Sequence, residues 1–128
     1  MAGDGCDYGT ILVVDDAEGV RKMVCAMLSN SGYRCLEAAD GHEALEIAQD
    51  SRHSFDLALT DMVMPRMGGA EFARHLARLR PQVRIVFMSG YTDDPVVRQA
   101  KSVDASFLAK PFTADVLLET VRRSLVGK

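Results

Sequence analysis

Four apolar runs in this chain stop abruptly at residues that carry chemistry. Ile11-Leu12-Val13-Val14 ends at Asp15-Asp16, and Leu57-Ala58-Leu59-Thr60 ends at Asp61. Val83 to Met88 runs into Ser89-Gly90, and Ala105 to Leu108 is followed by Lys110-Pro111. If those endings meet, three crowded carboxylates repel one another unless a cation shares them or their pKa values rise. Oxygen ligands with retained water suit a hard divalent ion, Mg2+. Lys110 would add a positive charge and Ser89 a hydroxyl donor. Such a set is an anion trap fit for phosphoryl transfer, a reaction catalysed by positioning and charge neutralisation. A carboxylate can itself be the nucleophile. Asp61 is the expected acceptor, because it leaves the central run facing both the acid pair and Lys110. Each residue alone has a plainer reading. Asp15-Asp16 could cap a helix, and Asp61 could serve the turn before Pro65. Ser89-Gly90 could open a loop, and Lys110 could be a surface lysine. The complementary set at four separate endings carries the functional reading.

The elements that must position these residues follow from pattern. Short β-branched or apolar runs bounded by turn signals predict buried strands at Ile11–Val14, Leu57–Thr60 and Val83–Met88. A more polar strand, nearer an edge, is expected over Tyr33–Ala38, and a short fifth over Ala105–Leu108. The second strand ends in Ala38-Ala39, as it would outside the cleft. Helical spacing recurs in Val20, Met23, Val24, Met27 and Leu28, and Asp40-Gly41 leads into a helix bearing Ala44, Leu45, Ile47 and Ala48. A third helix after Gly68-Gly69 is expected to bury Phe72, Leu76 and Leu79, stopping before Pro81. Asp93-Asp94-Pro95 signals a fourth, with Val96, Val97, Ala100 and Val103 inward. Thr113 caps a fifth carrying Leu117, Leu118, Val121 and Leu125. Five strand–helix alternations with short connections demand a mainly parallel sheet with helices on both faces. Ligands bind at the carboxyl edge of such sheets.

The chain has 128 residues and is expected to form a single domain over 10–128, with 1–9 as a flexible Gly- and Asp-rich tail and no output domain. The net charge of −3 comes without a Lys/Arg run, which argues against direct nucleic-acid binding. No apolar stretch approaches the roughly 20 residues of a membrane span, and the N-terminus lacks signal-peptide features, so a cytoplasmic location is expected. Cys6, Cys25 and Cys35 have no metal-like spacing, and packing or incidental exposure is the expected role.

From Ile11 to about Leu125 the sequence resembles the receiver domains of two-component response regulators. The resemblance rests on Val13-Val14-Asp15-Asp16, Asp61-Met62-Val63-Met64-Pro65 with Met67 and Gly69, Ser89-Gly90, and Lys110-Pro111-Phe112. It implies a flavodoxin-like (βα)5 three-layer sandwich with parallel strand order 2-1-3-4-5. It implies that Asp61 takes a phosphoryl group from a sensor histidine kinase or a histidine phosphotransfer protein. Asp16 and Asp61 would bind Mg2+, with Mn2+ able to substitute, the Val63 carbonyl as a further ligand and Asp15 acting largely through water. Ser89 and Lys110 would hold phosphoryl oxygens, and the Lys110-Pro111 bond would be cis. Ser89 and Phe107 would form the switch, the ring turning inward behind the hydroxyl on phosphorylation. Core packing is the plainer role for Phe107. The surface of the fourth helix, fifth strand and fifth helix, including Arg98, Lys101 and Arg122, would be read by an unknown downstream protein. The protein is expected as a monomer or weak dimer.

Val63 and Tyr91 occupy the two family positions that tune hydrolysis of the phosphoryl group. Val63 offers an attacking water no side-chain hydrogen bond and Tyr91 could screen the site, so slow self-dephosphorylation is expected. Two other functions compete. A Mg2+-dependent phosphatase of the haloacid-dehalogenase type would want a second Asp where Val63 stands, and a cap domain. A degenerate receiver that binds without phosphorylation would not need the intact acids, Ser89 and Lys110. The stretch from Phe87 to Asp94, with Lys110-Pro111-Phe112-Thr113, looks most like receivers of hybrid sensor kinases.

Overall fold

The computed structural model describes residues 9–90 and 105–126. Five parallel strands, β1 (Thr10–Val14), β2 (Arg34–Ala38), β3 (Leu57–Asp61), β4 (Arg84–Ser89) and β5 (Ser106–Ala109), form one sheet in the order β2-β1-β3-β4-β5. The described helices are α1 (Glu18–Ser29), α2 (Gly41–Gln49), α3 (Gly69–Leu79) and α4 (Ala114–Val126). The helix expected around Val96–Val103 lies outside the described residues, as do Cys6, Tyr91, Arg98 and Lys101.

Neighbouring residues of a strand feed opposite cores. Ile11, Val13, Leu57, Leu59, Val86 and Met88 join Val24, Leu28, Leu117 and Val121 under α1 and α4. Leu12, Val14, Ala58, Ile85 and Phe87 join Ala44, Ala48, Phe72 and Leu76 under α2 and α3. A parallel sheet covered on both faces has no polar face, which explains the unbroken apolar runs. Two residues depart from expectation: Met23 of α1 and Leu79 of α3 are exposed. Both lie at the border of their helical stripes, where Val24 and Leu76 already fill the space against the sheet.

Local signals set the boundaries. Asp40 caps α2, accepting the Glu43 N–H at 2.9 Å, while the Glu43 carboxylate accepts the Ala39 N–H. Thr113 accepts the Val116 N–H at 3.2 Å and starts α4. Arg80 ends α3 and spans the α2–β3 connection, donating to the Ala48, Asp50 and His53 carbonyls and lying over the Phe55 ring.

Candidate functional site

Parallel register brings distant residues to one edge. Val14 pairs with Thr60, Asp61 with Met88, and Ser89 with Ala109. One further bond, from the Lys110 N–H to the Ser89 carbonyl at 2.8 Å, carries the β4–β5 ladder past its end. Lys110 thereby stands over the cleft between β1 and β3. Its Nζ lies 3.1 Å from Asp61 Oδ1 and 3.3 Å from Asp15 Oδ2. Asp15, Asp16 and Asp61 each offer an oxygen within 4.8 Å of the others. The acids expected to meet do meet, beside the expected lysine.

Asp15 is 1% exposed, and burying a carboxylate so completely requires that its oxygens be satisfied. Its Oδ1 accepts the Ala17 N–H at 2.9 Å, and its Oδ2 faces Lys110. Its backbone is held too, since Arg21 Nη1 donates to the Asp15 carbonyl at 2.9 Å. Asp16 is exposed and Asp61 half-buried, so the cluster opens towards Asp16.

The β3–α3 connection shapes the other side. Met62, Met64 and Met67 turn inward, and the Val63 side chain turns to solvent. Val63 can therefore offer the site only its backbone. The Gly69 N–H donates to the Met62 carbonyl at 2.9 Å, and a Cβ on Gly69 would fall 2.2 Å from the Asp61 carbonyl oxygen. Only glycine allows the start of α3 to lie against the backbone of Asp61.

The electrostatics show a cluster short of positive charge. Burial pushes the Asp61 carboxyl above its ordinary value, helped by the Asp15 charge and opposed by the Lys110 ammonium. For Lys110, burial favours the neutral amine, but hydrogen bonding and the charges of both acids outweigh it and hold the ammonium above its usual range. Among the described residues, Lys110 alone pairs with carboxylates of this three-acid cluster, and it does not offset the burial of Asp61. A hard divalent cation fits this all-oxygen donor set on charge and on the spacing of the oxygens.

Ser89 ends β4, buried and adjoining Lys110. Phe107 is 38% exposed on β5, its ring stacked on Phe87 at 5.5 Å. The ring is thus partly exposed while packed against a fully buried neighbour. The Lys110-Pro111 peptide bond is cis. Two arginines near the site make contacts that the sequence does not announce. Arg21 bridges the Asp15 carbonyl and Glu37, and Arg66 pairs with Asp40. Their carboxylate partners, Glu37 and Asp40, lie on or just after β2, which ends outside the cleft, and no local pattern marks such contacts.

The fold and this site define a phospho-accepting receiver. The response regulator receiver domain family matches residues 11–122, and the chain belongs to that family. It is 32% identical over 90% of its length to sporulation initiation phosphotransferase F of Bacillus subtilis, covering 92% of that protein. It is 38% identical over 97% of its length to the sensor kinase CckA of Brucella abortus, of which it spans only 13%. Among solved structures it resembles the response regulator protein TrrA of Thermotoga maritima in complex with Mg2+-BeF. The TM-score is 0.79 at 28% identity, with 91% of this chain and 98% of that chain covered. Among the described residues, no helix is long and apolar enough to cross a membrane.

Proposed function

We propose that Asp61 is the phosphoryl acceptor and that a sensor histidine kinase or histidine phosphotransfer protein is the donor. The observation that carries this reading is the approach of Lys110 Nζ to Asp61 and Asp15 within a cluster of three acids. An Asp61 carboxylate oxygen attacks phosphorus as the P–N bond to the donor imidazole breaks, and the departing imidazole takes up a proton. Lys110 and the Ser89 hydroxyl hold the phosphoryl oxygens. Asp16, Asp61 and the Val63 carbonyl would hold Mg2+ or Mn2+, with Asp15 contributing through water. Bound there, the ion would offset charge on the phosphoryl group in transfer. The Mg2+-BeF complex of the similar Thermotoga protein supports a Mg2+ site in this fold.

An apolar hollow lined by Val20, Met23, Pro111 and Phe112 adjoins Lys110 and offers a protein donor dry contact beside the acceptor. Phosphorylation draws Ser89 towards the new dianion, and Phe107 turns inward from its exposed position. That movement alters the surface of β5 and α4, including Arg122; Arg98 and Lys101, expected to share it, lie outside the described residues. Self-phosphorylation from small donors and slow self-dephosphorylation complete the reading, in a cytoplasmic protein acting as a monomer or weak dimer.

The aspartyl phosphatase alternative is not favoured, because the exposed aliphatic side chain of Val63 cannot act as a general acid. Incubation with a small acyl phosphate and Mg2+ separates the two. The receiver reading expects one phosphoryl group per chain by intact mass, lost with hydroxylamine and absent with EDTA. Continuous turnover of phosphate esters would favour the phosphatase instead. Val63→Asn is expected to shorten the life of the labelled form, and an unchanged decay would remove Val63 from that role.

A further inference from the structure

The connection from Val63 to Gly68 is neither helix nor strand, yet it carries the carbonyl assigned above to the cation. Its hold on the rest of the molecule is unusual at two consecutive residues. Arg66 has φ 70, in the left-handed region that non-glycine residues rarely enter. Its side chain is 70% exposed, but Nη2 sits 2.5 Å from Asp40 Oδ2. An exposed arginine in a disfavoured backbone conformation needs something to keep it there, and this contact is the candidate. Asp40 itself cannot drift. Its other oxygen accepts the Glu43 N–H at 2.9 Å as the cap of α2. The next residue in each segment repeats the attachment: a Cβ on Gly41 would lie 2.9 Å from Met67 Sδ and 3.0 Å from Met67 Cβ. The first two residues of the α2 start are thus docked on two successive residues of the β3–α3 connection. At its far end the same connection is fixed by Gly69 against Asp61.

We propose that the Asp40–Arg66 ion pair is a positioning device: by fixing the β3–α3 connection from outside the cleft, it sets the affinity of the acid cluster for its divalent cation. Neither residue belongs to the acid cluster. Asp40 and Arg66 act through the backbone between Arg66 and Val63, and the second strand, which ends outside the site, contributes to it through the cap that follows. This inference rests on the metal-binding reading of Asp16, Asp61 and Val63.

Calorimetric titration of the full chain with Mg2+ at fixed ionic strength tests it, with thermal melting recorded for every variant. Asp40→Asn is the cleanest change, since asparagine caps a helix as well as aspartate but leaves Arg66 without its counter-charge. Asp40→Asn and Arg66→Ala are each expected to raise the Mg2+ Kd by about three- to tenfold, and the double variant by no more than either alone. Arg66→Lys, which keeps the charge, should stay close to wild type. A merely structural pair would lower the melting temperature and leave the Kd of the folded protein unchanged. That result, or losses that add in the double variant, would overturn the proposal. A wild-type protein that takes up no Mg2+ would instead overturn the underlying metal-site reading, so the two failures are distinguishable.

Discussion

The middles of β1 and β3 and their carboxyl ends lie only two or three residues apart, yet different forces hold them. Leu12, Val13, Ala58 and Leu59 are fully buried, with apolar neighbours on both faces of the sheet. They need nothing but packing. At the ends, Asp15 and Asp61 put carboxylates in a half-dry cleft where one lysine compensates them incompletely. The strand middles stabilise the fold, and the ends draw on that stability to keep charge concentrated where a cation and a phosphoryl group can use it. The same neighbouring backbone positions therefore predict opposite responses to substitution.

The largest response belongs to the middle. Leu59→Ala should cost about 2–5 kcal/mol in denaturant unfolding, because the cavity lies between two close-packed layers. A cost below that range would mean the core relaxes around the site. At the end, Lys110→Ala removes the ammonium paired with the buried Asp15 carboxylate and should cost about 1–3 kcal/mol. A variant as stable as wild type would show that water satisfies Asp15 unaided. Mg2+ should have the reverse effect. At ten times its Kd it should stabilise wild type by about 1.4 kcal/mol, and this gain should shrink sharply in Asp61→Asn. Equal gains in both proteins would put the ion elsewhere.

The smallest effect has the most informative sign. Burial raises the Asp61 pKa in the folded protein, so the folded state binds that proton more tightly than the unfolded chain. Ionised Asp61 therefore opposes folding at neutral pH, and the penalty fades as pH falls through the raised folded value and is gone below the ordinary carboxylate range. Without metal, Asp61→Asn should melt higher than wild type at pH 7 and lose that advantage below about pH 4. A lower melting temperature at pH 7 would mean that the Lys110 contact outweighs burial.

Much of this comparison is legible in the sequence, for a physical reason. Strand ends are marked by an abrupt change from apolar to charged residues, as at Val14-Asp15 and Thr60-Asp61, and parallel topology then gathers them without further information. The caps at Asp40 and Thr113 are equally local. Exposure of Met23 and Leu79 was not legible, because helical spacing defines a stripe but not its width. Arg21 and Arg66 were hidden more deeply. Their partners, Glu37 and Asp40, lie 16 and 26 residues away, and the left-handed backbone at Arg66 carries no glycine to announce it. Phe107 falls between these cases: its strand was expected, but whether the ring points in or out depends on packing that no single-strand pattern fixes.

The most direct test of the central claim is transfer of labelled phosphate from a phosphohistidine protein to this chain in Mg2+, followed by mapping of the modified residue. One label is expected on Asp61, none in Asp61→Asn, and slower labelling in Lys110→Ala. A wild-type label on another residue, or undiminished labelling of folded Asp61→Asn, would contradict it.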